Sequence, residues 1–322
     1  MKKIVICFLL LCLLLVRPSA IPAQDGLTII ALNFPAYDFS RQVAGDRGQI
    51  SMLLPPGTDV HSFEPSPKDL IALHSADLVV YNGCIADYWI KDLLAAMEDD
   101  APATIVMMDL VDTVAEETTE GMENATHDHP TAMDNHNHAG DRNEDIRELD
   151  EHVWTSPRNA ILISRAIANK LSELDPRGKQ VYASNFQQFE NALLALDADF
   201  RDLVDNAPRK TIVLGDRFAM RYFTREYGLS YYAAFPGCSA QTEPSAKTIA
   251  FLIDIIKEED IPVVFHIELS SRKAAGLIAS ETGARDLLLH SAHNVSQEEL
   301  DKGITYIDIM RGNLKNLREA LY

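Results

Sequence analysis

Four of the chain's ten histidines fall as two H-x-H pairs, His127 with His129 and His136 with His138. They lie in the stretch EGMENATHDHPTAMDNHNHAGDRNEDIRELDEHVW, which is crowded with Asp and Glu. Neutral imidazole is the commonest side-chain ligand of transition metals, and imidazole with carboxylate suits zinc. The tract holds almost nothing apolar, so it cannot build a core of its own. It reads as an auxiliary metal-gathering loop; the plainer alternative is a solvated acidic insertion. It closes at Asp150-Glu151-His152-Val153-Trp154, where polar loop turns back into patterned chain.

Further metal-ligand types stand singly along the chain. In an open parallel α/β sheet, sites form beyond the carboxyl ends of the strands. The residues just past each apolar run are His61 in the first half, then Asp216, the Gly237-Cys238 turn, His266 with Glu268, and His290 with His293 in the second. His152 enters from the end of the acidic tract. His266 and Glu268, two apart on an extended segment, are expected to share a face. A tetrahedral N/O site needs three or four such donors. Each has a competing role: a hydrogen-bonded loop histidine, a salt bridge from Asp216 to Arg217, an inert buried Cys238. Zinc-protease, serine-hydrolase, P-loop and dinucleotide signatures are missing, which points away from an enzyme.

The elements that must position these residues alternate. Apolar runs at Thr28–Leu32, Ile50–Leu54, Asp77–Tyr81 and Thr104–Met108 read as buried strands, with helices over Tyr37–Ala44, from Ser66-Pro67, and over Ala86–Met97. After the acidic tract a helix opens at Ser156-Pro157 and breaks at Asp175-Pro176. A second spans about 178–206, with apolar residues at Tyr182, Phe186, Phe189, Leu193, Leu196, Phe200 and Leu203, one continuous face. The alternation then resumes: strands at 211–214, 230–235, 261–267 and 287–289, and helices over 218–227, 245–259, 271–282 and 304–321. The predicted fold class is α/β, two lobes with parallel doubly wound sheets joined by one long backbone helix. The expected divisions are 27–176 (with the loop at 120–149), 177–206 and 207–322.

The chain has 322 residues, is 47% hydrophobic and carries a formal net charge of -19. Such an acidic chain suits cations and is a poor nucleic-acid binder. Residues 1–23, with Lys2 and Lys3 before an apolar run from Ile4 to Val16, read as a secretory signal. Export to the periplasm or the outer face of the cytoplasmic membrane is therefore expected. Beyond that segment only Cys84 and Cys238 remain, too few for a disulfide scaffold.

Several stretches carry a resemblance: LPPGTDVHSFEPSPKDL (54–70), YNGCIADYW (81–89), DEHVWTSPRNA (150–160), REYGLSYYAAF (225–235), ELSSRKAAGLIASETGA (268–284) and YIDIMRGNLKNLREAL (306–321). Together they resemble the zinc/manganese solute-binding proteins of bacterial ABC importers, and the His-rich tract resembles the loop of the zinc-specific members. The resemblance implies a monomer that binds Zn²⁺, with Mn²⁺ as the alternative, and hands it to a membrane permease. A surface adhesin with a structural metal is the other class. It implies His61, His152 and Glu268 as ligands. The family's third histidine has no counterpart in LGDRFAMRYFTREYGL, where Asp216 is the nearest candidate and His266 a further one.

Overall fold

The computed structural model describes residues 26–122, 149–238 and 243–322. The leader-like stretch 1–23 and His127, His129, His136 and His138 lie outside those residues. In the first lobe, β1 (Leu27–Ala31), β2 (Gly48–Met52), β3 (Leu78–Tyr81) and β4 (Ala103–Val106) form an all-parallel sheet in the order β2-β1-β3-β4. Helices α1 (Phe34–Ala44), α2 (Pro67–His74) and α3 (Tyr88–Ala96) connect the strands. Then come α4 (Pro157–Leu174) and α5 (Lys179–Asp205). In the second lobe, β5 (Thr211–Phe218), β6 (Ser230–Pro236), β7 (Val263–His266) and β8 (Arg285–Leu288) repeat the pattern as β6-β5-β7-β8, again parallel. Its helices are α6 (Arg221–Tyr227), α7 (Ala246–Glu258), α8 (Lys273–Thr282), α9 (Gln297–Asp301) and α10 (Tyr306–Leu321). No helix among the described residues is long and apolar enough to cross a membrane.

The inner strands β1, β3 and β7 read as apolar runs because both faces of each sheet are covered there, while the edge strands β2 and β8 keep exposed polar residues. Alternation still assigns each residue to a side. Ile29, Ala31, Leu78 and Val80 face inward, as do Ile212, Leu214, Val263 and Phe265. Ile30, Val79 and Tyr81 face an outer cluster of the first lobe, and Val213 and Val264 one of the second. The inward residues of both sheets belong to one continuous core.

Helix α5 runs through that core. Its 27 residues make a rod of roughly 40 Å. The predicted stripe is its buried face: Tyr182, Phe189, Leu193, Leu196, Phe200 and Leu203 are buried. It serves both lobes. Phe189 packs 5.8 Å from Phe39 of α1, and Phe200 packs edge-on at 4.8 Å against Phe223 of α6. Phe39 in turn meets Tyr306 of α10 at 5.1 Å.

Local chemistry fixes the helix starts. Ser66 and Asp69 form a capping box ahead of α2, Ser156 caps α4 with Pro157 in its first turn, and Thr305 with Asp308 caps α10. Helix α9 escapes sequence reading although Ser296 and Glu299 make the same box, because only one short turn follows it. Strand β5 also departs from expectation. It continues to Phe218, so α6 begins at Arg221 rather than at Phe218. One extra residue between Leu214 and Arg217 shifts the pairing with β6, a bulge that redirects the strand end. Gly215 permits it, since a Cβ there would lie 2.7 Å from Cα of Ala275.

Because one core serves both sheets, Phe200→Ala is expected to lower the unfolding free energy by about 3–5 kcal/mol. In a urea titration both lobes should melt in one transition; two separated transitions would contradict the shared core.

Candidate metal centre

The carboxyl ends of both sheets face one cleft, as expected for parallel α/β sheets. At its centre is a cavity of about 100 Å³, lined by Asp59 and Val60 after β2, by His152, by Arg217 at the end of β5, by Gly237 after β6, by Glu268 after β7 and by His293 after β8. A more open groove of about 490 Å³ beside Asp109 and Arg225 is lined by no histidine.

His152 is the most constrained of these residues. It is 2% exposed and sits at a turn with φ -82° and ψ 45°. Its backbone N–H donates to Asp150 Oδ1 at 2.8 Å, and ring Nδ1 lies 3.2 Å from the same oxygen. A proton on Nδ1 satisfies that contact and leaves Nε2 as the ligand atom, the carboxylate–histidine arrangement that orients metal-binding imidazoles. Asp150 is itself fixed from the second lobe: Tyr222 donates its hydroxyl to the Asp150 carbonyl at 2.8 Å. The turn also brings the next side chain inward. His152 Nε2 lies 3.9 Å from Glu151 Oε1. Across the cleft, His293 stands with its ring centroid 5.5 Å from that of His152, and Trp154 packs edge-on against both. Ligand atoms of Glu151, His152 and His293 all lie within 4.8 Å of one another, the one such group among the described residues. Two imidazoles and a carboxylate within that span fit a tetrahedral cation with one further donor.

The electrostatics follow from the acids. Burial pushes the His152 imidazole down, but the charge and hydrogen bond of Asp150, with Glu151 and Glu116, outweigh it and raise the pKa to about 9. Burial, with the charge of Asp150, pushes Glu116 up to about 7. Gly237 leaves room for the imidazole: a Cβ there would stand 3.2 Å from His152 Cε1.

Glu268 lines the cavity, and its carboxylate also accepts hydrogen bonds from the loop after β8. Oε2 accepts from the Ser291 amide at 2.7 Å and Oε1 from the His293 amide at 3.1 Å, and the Ser291 hydroxyl donates to Oε1 as well. Ala292 between those amides has φ +62°, a left-handed conformation that turns both toward Glu268. Glu268 thus holds the loop that presents His293. The same loop is tied to the first lobe. Trp154 Nε1 donates to the Ser291 carbonyl at 2.8 Å. Asn294 Nδ2 donates to the carbonyls of Pro55 and Thr58, each at 2.8 Å, and Gly57 N–H donates to Val295 O at 2.8 Å.

The other sequence candidates separate. His61 lies on the short turn Val60–Ser62, directly after two residues of the cavity wall. Asp216 is not at the centre: its Oδ1 accepts from the Arg217 amide at 2.9 Å, and it lines an outer pocket with Ser270 and Lys273. The bulge in β5 gives the inward position to Arg217 instead. His266 is not at the centre either. Strand β7 ends there, and ring Nδ1 lies 2.5 Å from Asp286 Oδ1 on β8, beside a pocket on the far side of Glu268. His290 Nδ1 accepts from the Ala292 amide at 2.9 Å. Cys84 and Cys238 are free thiols, both pushed well up by burial. Sequence reading missed Glu151, because neighbours on an extended chain face opposite ways and only the turn at His152 brings them together. The adjacency of acid and imidazole in Glu151-His152 was the available signal.

Two parallel α/β lobes closing on imidazoles and carboxylates are the arrangement of a bilobed metal-binding protein of the solute-binding class. The chain belongs to the family described as zinc-uptake complex component A, periplasmic, which matches residues 29–320. It is 31% identical over 305 residues to the high-affinity zinc uptake system protein ZnuA of Bacillus subtilis, covering 95% of this chain and 91% of that one. It is also 31% identical to the zinc-binding lipoprotein AdcA of Streptococcus pneumoniae, of whose length it spans 61%. The crystal structure of the Zn(II)-bound ZnuA-like domain of that AdcA matches with a TM-score of 0.72 at 27% identity, over 92% of this chain and 99% of the domain.

The raised pKa of His152 has a sign that can be checked. Its charge stabilises the metal-free fold fully below about 6.5, the unfolded value, and that contribution fades as pH rises through the folded value of about 9. The melting temperature of the metal-free protein should therefore fall over that range, and less so in His152→Gln. A divalent ion bound at His152 Nε2 would displace the imidazole's proton, so calorimetry at about pH 7.5 in buffers of different protonation enthalpy should then show release of about one proton.

Proposed function

We propose that the chain captures Zn²⁺ outside the cytoplasm and delivers it to the membrane permease of an ABC importer. The observation that carries this is the convergence of Glu151 and His152 from one lobe with His293 from the other, their ligand atoms within 4.8 Å. Nitrogen and carboxylate donors in a small buried cavity suit zinc. The zinc-binding relatives ZnuA and AdcA, and the Zn(II)-bound domain of AdcA, support the same cargo over manganese. His61, on the turn beside the cavity, is the fourth donor of this reading, and Glu268 and Asp150 hold the ligands in place. The acidic tract with His127, His129, His136 and His138 gathers metal for the tight site. Binding is reversible and involves no covalent step, and the protein acts as a monomer.

Calorimetry on metal-stripped protein tests the site. His152→Ala and His293→Ala should each weaken zinc binding by about a hundredfold or more, as loss of a first ligand does, and His61→Ala should weaken it too. Unchanged affinity in His152→Ala with His293→Ala would refute the assignment. Removing residues 124–145 should spare the tight site and abolish only weak additional equivalents. Trp154, packed on both imidazoles, gives a fluorescence readout of the same event.

A further inference from the structure

The cavity that would take a divalent cation already holds a permanent one. Arg217 lines it together with His152, Glu268 and His293. The bulge in β5 turns the residue there, and Nη2 reaches across the cleft to Asp59 Oδ2 at 2.6 Å. A guanidinium is a fixed positive charge. The Arg217 side chain is 18% exposed, so solvent screens it only in part.

We propose that Arg217 and Asp59 are the residues that set how tightly the cleft holds its metal and how fast it lets go. The inference rests on the zinc-carrier reading above. The pair is not needed to shut the rim of the cleft. Asn294 and Gly57 already tie the loop at 55–58 to the loop at 294–295 through three hydrogen bonds. What Arg217 and Asp59 add beside the cavity is charge. Together they are neutral toward an incoming dication. Without the guanidinium, Asp59 becomes an extra acid near the metal and the cation is held harder. Without the carboxylate, the guanidinium's repulsion of the cation is no longer balanced by Asp59. A carrier must release its cargo, and a fixed positive charge in the wall limits the depth of the well from which the metal has to escape.

The two partners therefore act with opposite signs, which a purely mechanical link cannot do. Zinc affinity measured by chelator competition should tighten about tenfold or more in Arg217→Gln and loosen by a similar factor in Asp59→Asn. Release to excess chelator should slow in the first variant and quicken in the second. The double variant should return to within about threefold of the parent, since removing both charges leaves the wall as neutral as the intact pair does. Arg217→Lys, which keeps the charge, should stay closer to the parent than Arg217→Gln does. Weaker or unchanged binding in Arg217→Gln would overturn the proposal while leaving the zinc site intact. Failure of the parent protein to bind zinc would overturn both.

Discussion

The contact between Asp150 and His152 is the constraint on which the centre depends. A buried imidazole is costly unless its polar atoms are satisfied, and the His152 side chain is 3% exposed. Asp150 satisfies Nδ1 and, through the backbone amide, sets the turn that brings Glu151 to the same side. It cannot do this alone, because its own main chain needs a fixed place. Tyr222 supplies that from the other lobe. The donor set of the first lobe is thus held in register by the second lobe before any metal arrives.

The same logic applies on the opposite wall. His293 is presented by a loop whose amides converge on Glu268 and whose carbonyl at Ser291 receives the Trp154 indole. Each wall is positioned by residues of its neighbour, and α5 passes through the core of both. Such a framework spends its binding energy on holding ligands in place beforehand rather than on ordering them when the ion enters. Specificity then rests on which donors the cleft presents and on the charge beside them.

Much of this was legible in the sequence, for reasons that can be named. Parallel sheets give apolar runs, caps give helix starts, and the unbroken stripe from Tyr182 to Leu203 gives the long helix. The rule that sites lie past strand ends brought His61, Glu268 and His293 into view, and the motif DEHVW brought His152. What remained hidden was which of two adjacent or nearby side chains turns inward. Glu151 joins His152 only because of a turn set by a hydrogen bond. Arg217 displaces Asp216 only because one residue is added to β5. Glu268, read from the sequence as a ligand, also anchors the loop that presents His293, through amides that no sequence pattern displays.

The meeting of Phe39 with Tyr306 carries a consequence for how the chain comes to be folded. The first helix of the structure is sealed by the last, and Tyr306 also donates its hydroxyl to the Trp154 carbonyl and its amide to Asp38. An amino-terminal half emerging by itself therefore lacks part of its own interior. Native packing around the first helix is completed only when α10 is in place, so the interior of the first lobe depends on a segment nearly three hundred residues further along the chain.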